Sequence, residues 1–162
     1  MSEITISEDA MRMIAQFENL TGAGARDCVV DDKFGRILFV INPGEMGLAI
    51  GKKGASIKKA SDAFGKKVEV VEYNPDKVQF IRNCFLPVHV MTVTFEEDEE
   101  ENTEVAYIEV AESDRGLAIG KEGRNIIKAK KLAFRQFDIA NVELKQEEEE
   151  ESEEEEKEEE EL

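Results

Sequence analysis

Residues 45–54 read EMGLAIGKKG, and residues 114–123 read DRGLAIGKEG. A shift of 69 positions superimposes them: Gly47, Leu48, Ala49, Ile50, Gly51, Lys52 and Gly54 recur as Gly116, Leu117, Ala118, Ile119, Gly120, Lys121 and Gly123. At the same shift Ile57 meets Ile126 and Ala60 meets Ala129. Seven identities in eight positions point to duplication of a unit of about 70 residues.

Each repeat has matching surroundings. In the first, residues 7–20 show helical spacing, with Met11, Ile14 and Phe17 near one face. Asp27–Val30 reads as a strand, 31–35 as a turn and Arg36–Ile41 as a second strand. Asn42-Pro43 supplies a cap and a first-turn proline for a short helix to Ile50. Gly51–Gly54 breaks it, Ala55–Phe64 is helical, and Lys67–Val71 closes the sheet. In the second repeat Asn74-Pro75 caps a helix to about Asn83, and Pro87–Phe95 is a strand. The acidic run 96–104 is a loop and Glu104–Val110 pairs back. Ser113 or Asp114 caps a short helix, Arg124–Phe134 is helical beyond the second turn, and Ile139–Leu144 closes that sheet. The expected class is α/β, of the α+β kind: two tandem domains, each a three-stranded mixed sheet packed against helices. The expected domains are 1–72 and 73–146, followed by a disordered acidic tail at 147–162, with almost no linker at Glu72-Tyr73.

The net charge of -17 argues against a polyanionic ligand only until it is divided. The tail holds 13 glutamates against one lysine. By contrast, residues 50–67 hold six lysines and one acid, and residues 115–135 hold seven basic side chains and one acid. Local field decides where a polyanion docks. The tail reads as a solvated brush, or as an acidic arm that competes with a polyanionic ligand for the lysine faces or meets a basic partner.

Glycine lets an outside chain approach the backbone and tolerates sharp turns. A helix that starts at the turn points unsatisfied N–H groups outward, where they favour phosphate. Lys52, Lys53 and Lys121 between the glycines add attraction for the same anion. The candidate RNA-contacting set is Ile50, Gly51, Lys52, Lys53, Gly54, Ile57 and Lys58 in the first repeat. In the second it is Ile119, Gly120, Lys121, Glu122, Gly123, Arg124 and Ile126. Ile57 and Ile126 read either as an apolar floor for bases or as core. Lys59, Lys66, Lys67, Lys128, Lys130, Lys131 and Arg135 extend the positive surface.

Other chemistries fit poorly. Gly47 to Gly51 encloses too few residues for a nucleotide P-loop, and Lys53 stands where its hydroxyl belongs. His89 is the single histidine and has no recognisable nucleophile or orienting partner. Cys28 and Cys84, 56 positions apart, suggest neither a disulfide framework nor a zinc site. No enzyme activity, metal or cofactor is expected. The N-terminus does not read as a signal peptide, and no apolar run is long enough to span a membrane. The cysteines fit a reducing cytoplasm.

GLAIGKKG and GLAIGKEG resemble the signature of KH domains, whose Gly-x-x-Gly loop clamps backbone nucleotides. The element order is similar to the type II arrangement. The stretches Phe17–Ala23, Arg26–Val29, Met46–Lys52, Val70–Tyr73 and Gly116–Gly120 resemble the archaeal NusA-like proteins, over residues 4–145. That resemblance implies two type II KH domains that contact RNA through their glycine loops. It also implies a role in transcription termination or antitermination. The implied partners are single-stranded RNA and RNA polymerase or ribosomal components, with a monomeric protein and no membrane. A protein-interaction module with weak or lost nucleic-acid binding is the alternative, because Glu122 replaces Lys53 in the second loop.

Overall fold

The computed structural model describes residues 4–146, so the segment expected to be a disordered tail lies outside the described residues. The first unit opens with α1 (Glu8–Thr21), capped by the Ser7 hydroxyl, which accepts from the Ala10 amide at 3.1 Å. Gly22, at φ 82°, ends it. Strands β1 (Ala25–Asp31) and β2 (Arg36–Ile41) pair antiparallel. Helices α2 (Met46–Ile50) and α3 (Ala55–Phe64) come next, and β3 (Lys67–Glu72) returns parallel to β2. The second unit repeats this with α4 (Lys77–Phe85), β4 (Val90–Asp98), β5 (Thr103–Val110), α5 (Arg115–Ile119), α6 (Arg124–Phe137) and β6 (Ile139–Leu144). The sheets run β1-β2-β3 and β4-β5-β6, both mixed, as the sequence reading expects. Among the described residues no helix is long and apolar enough to cross a membrane.

Several boundaries differ from the sequence reading: β4 starts at Val90 instead of Pro87, α6 runs to Phe137 instead of Phe134, and Asp114 precedes α5 without a side-chain cap bond. Three further differences have a local cause. Asn42-Pro43 does not cap α2, which starts only at Met46. The Asn42 carbonyl accepts from Glu45 in a turn, and the Glu45 carboxylate accepts from the Gly24 amide at 3.1 Å. Asn42 is thus held in the turn, and Glu45 takes the N-cap position, where its carbonyl accepts from the Leu48 and Ala49 amides. Helix α4 is capped by Asp76 rather than Asn74, whose side-chain oxygen accepts from the Asp76 amide to shape the turn before it. The acidic run is not all loop: Glu96, Glu97 and Asp98 pair with Val105, Glu104 and Thr103. Asp98 then accepts from the amides of Glu100 and Glu101, which confines the turn to 99–102.

Packing explains the strand sequences. All six residues of β2 are buried, because both faces of the first sheet are covered. Ile37, Phe39 and Ile41 meet a core that includes Ala10 and Phe17 of α1 and Ala60 of α3. Leu38 and Val40 face the other way, into a core shared with Phe80, Ile81 and Cys84 of α4 and Ala129, Leu132 and Ala133 of α6. The helices of the second unit therefore lie between two sheets. A polar clasp reinforces the contact. Arg135 donates to Asp27 through two nitrogens, at 2.6 and 2.8 Å, and Gln136 donates to the same carboxylate at 2.9 Å. The fully buried Arg36 donates to Asp31 at 2.8 Å, to Glu69 at 3.0 Å and to the Arg124 carbonyl at 2.7 Å. Lys128 donates to Glu69 at 3.2 Å, and Lys131 lies 3.7 Å from Asp31.

Candidate nucleic-acid interface

The two glycine turns have one backbone conformation. Gly51 stands at φ 75°, ψ 173° and Gly120 at φ 78°, ψ 168°. Lys53 and Glu122 are left-handed at φ 56° and 58°, and Gly54 and Gly123 are left-handed at φ 75° and 82°. A side chain at Gly51 would stand 2.8 Å from the Ser56 amide, and one at Gly120 would stand 3.0 Å from the Asn125 amide. Backbone atoms cannot yield, so glycine is required at both positions.

The helix beyond each turn matters as much. α1 and α4 have side-chain caps, whereas α3 and α6 begin at Gly54 and Gly123 with none. Their first-turn amides thus lack a side-chain acceptor at the place where the chain is bare of side chains. Lys52, Lys53, Lys121 and Glu122 are all exposed beside them, as is Lys58 one turn further on. This arrangement suits an anion that is part of a chain, because glycine removes bulk on the approach side.

A groove of about 610 Å³ runs beside the first turn. Met46, Ile50 and Ile57 form one wall, β3 from Val68 to Glu72 forms the floor, and Asn83, Leu86, Pro87 and Lys128 of the second unit form the other wall. β3 is an edge strand, so its outer side has no paired neighbour. Ile57 lines this groove and also packs on the first core. Ile126 packs on the second core. Ile50 and Ile119 are each 39% exposed.

Sequence reasoning missed Leu48 and Leu117, exposed at 52% and 64% in the short helices before the turns. The signal was present. Ala49 and Ala118 are buried, and successive helical residues point about 100° apart, so the apolar residues on either side cannot all face inward.

The positive surface of the second repeat needs correction. Lys128 and Arg135 are tied to Glu69 and Asp27, and Lys131 lies near Asp31. Lys128 and Arg135 face the first sheet because docking that sheet on α6 brings Glu69 and Asp27 against them, whereas Lys131 stays exposed. Arg124 is half-buried and its carbonyl accepts from Arg36. In the first repeat Lys66 is only loosely paired, 3.5 Å from Asp32. Burial alone would raise the Glu69 carboxyl, but Lys128 and the Arg36 guanidinium outweigh it and hold the group below its ordinary value. Burial pushes both thiols, Cys28 and Cys84, up to about 12, which keeps them from serving as nucleophiles at neutral pH.

Comparison with known proteins bears on this geometry. A family model described as a KH domain matches residues 12–100, and one described as a NusA-like second KH domain matches residues 77–148. A probable transcription termination protein NusA of Halococcus morrhuae is 42% identical over 141 residues, 87% of this chain and 98% of that protein. A protein of the same description from Methanococcus vannielii is 39% identical, over 85% of this chain and 77% of its own length. The crystal structure of APE1850 superimposes with a TM-score of 0.79 at 34% identity, covering 86% of this chain and all of the other.

Proposed function

This chain belongs to the archaeal NusA-like proteins, with two KH-type domains, and from that premise we propose that its two glycine turns hold single-stranded RNA during transcription termination or antitermination. The units are taken as residues 1–72 and 73–146. The observation that carries the reading is the duplicated turn. Two stretches of chain 69 positions apart adopt the same left-handed geometry, and each precedes a helix start with no side-chain cap. Phosphates of one strand meet the first-turn amides and the ammonium groups of Lys52, Lys53 and Lys121. Such contacts position a strand without reading its sequence. Bases then fall toward Ile50 and Ile57 and the open edge of β3 in the first groove, whose apolar wall tolerates any base.

The test compares the wild-type chain with Lys52→Asp/Lys53→Asp in binding short single-stranded RNA at several salt concentrations. The double change is expected to remove most of the affinity, and wild-type affinity is expected to fall as salt rises. Unchanged binding at low salt, with the fold intact by circular dichroism, would sink the assignment.

A second reading, a protein-interaction module of the transcription or translation apparatus, is favoured by Glu122 and by the cations of α6 that face the first sheet. If RNA binding is absent even from the chain lacking residues 147–162, that reading replaces the first.

A further inference from the structure

The second turn differs from the first by a charge exchange. Lys53 becomes Glu122, and two residues later Ala55 becomes Arg124. The lost cation thus reappears just past the turn, on the first residue of α6. Its surroundings come from the other unit. Arg36 of β2 donates to the Arg124 carbonyl at 2.7 Å. The Arg124 guanidinium carbon lies 5.6 Å from the centre of the Phe34 ring, in the turn joining β1 and β2. The Lys33 ammonium lies 5.4 Å from the same ring centre, and the Arg36 guanidinium carbon lies 4.9 Å from it.

Of these three cations, one is neutralised. Arg36 is held by Asp31 and Glu69. Among the described residues, no carboxylate pairs with the Lys33 or Arg124 side chain, and the enclosed Arg124 Nε has no acceptor. A chain that ties Lys128 and Arg135 of the same helix to carboxylates leaves Arg124 and Lys33 uncompensated around one aromatic ring. Both cations lie within 5.6 Å of one ring centre, and an anion that reaches both lowers the energy of that uncompensated charge.

We propose that the β1–β2 turn of the first unit completes the RNA site of the second. Lys33 and Arg124 form a clamp for the backbone phosphate next to the one held at Gly120–Gly123, and Phe34 sets the aim of the guanidinium. The ligand class is the phosphodiester of a single strand. The proposal rests on the reading of the second turn as an RNA site. It adds that this site is incomplete without the first unit, whereas the first turn, followed by Ala55, has no such clamp.

The experiment uses the full chain with the first turn silenced by Lys52→Asp/Lys53→Asp, titrated with a fluorescent pool of short single-stranded RNA over a range of salt. Adding Lys33→Gln is expected to weaken the remaining binding by about fivefold at 0.1 M salt and to reduce the slope of log affinity against log salt by about 0.7, the counterion contribution of one single-strand phosphate. Phe34→Leu, which keeps bulk but removes the ring, is expected to weaken binding in the same direction. Melting midpoints check each fold; Lys33 is exposed, so its variant stays interpretable if Phe34→Leu is unstable. If the silenced chain binds RNA and Lys33→Gln leaves affinity and slope unchanged, the clamp is overturned and the second turn stands. If the silenced chain binds nothing while the wild type binds, the second turn falls and the clamp with it.

Discussion

β2 at the centre of the first sheet buries all six of its side chains, whereas β5 at the centre of the second buries only alternate ones over most of its length. The strands hold equivalent places in two copies of one unit. Their difference is where the copies meet: the first sheet has helices on both faces, and the second has its own helices on one. The duplicated positions record this. At the shift of 69, Leu38 corresponds to Tyr107 and Val40 to Glu109. The first member of each pair lies in the core shared with α4 and α6, and the second is half-exposed. A polar outer face is how a repeated unit avoids recruiting another. The same asymmetry governs charge. The carboxylates of the first sheet meet basic residues of α6, whereas on β5 Glu109 is paired with Lys145 near the end of the described residues.

The sharpest way to break the comparison is to give the first sheet the residue of the second. Val40→Glu places an unpaired carboxylate between sheet and helices and is expected to destabilise by more than about 4 kcal/mol, often to the point of unfolding. The reciprocal Glu109→Val is expected to change stability by less than about 1 kcal/mol, read from urea midpoints. Equal effects would show that the first sheet is not enclosed. Next in size is Asp27→Ala, which leaves Arg135 and Gln136 without their shared acceptor and is expected to lose about 3 kcal/mol.

Acid tests the same clasp. The folded Glu69 carboxyl lies below its ordinary value of 4.5, so its contribution is present above that pH and is lost as pH falls through the folded value. Glu69→Gln is expected to flatten the pH dependence of stability below about pH 4.5, and an unchanged acid profile would remove Glu69 from the clasp. The smallest effect concerns the turns. Glu122→Lys makes the second resemble the first and is expected to raise RNA affinity by about fivefold at low salt. No gain would mean that the residue at this position does not face the strand.

Much of this was legible in the chain. The repeat, the two glycine turns and most strands are local patterns of glycine, β-branched residues and helical spacing. The acidic run misled because seven acids in nine positions look like loop, yet β4 is extended through Asp98 by backbone pairing that tolerates any side chain. Asn42-Pro43 misled because a capping sequence is satisfied equally well by a turn when a distant amide, that of Gly24, claims the nearby carboxylate. Counting cations after the second turn overstated its positive surface, since a count cannot distinguish Lys121 in solvent from Lys128 against Glu69. Leu48 and Leu117 escape notice because apolar residues in a helix are first assigned to its buried face.

The glycine spacing by itself determined where both turns can take the same left-handed path, because glycine accepts φ above zero at no steric cost and needs no distant contact to do so; Lys53 and Glu122 between the glycines follow that path. Only the tertiary structure decided which charges remain free to meet a ligand. Asp27 and Arg135 stand 108 positions apart, and their pairing follows from one sheet docking on another unit's helices, a geometry that no local pattern encodes.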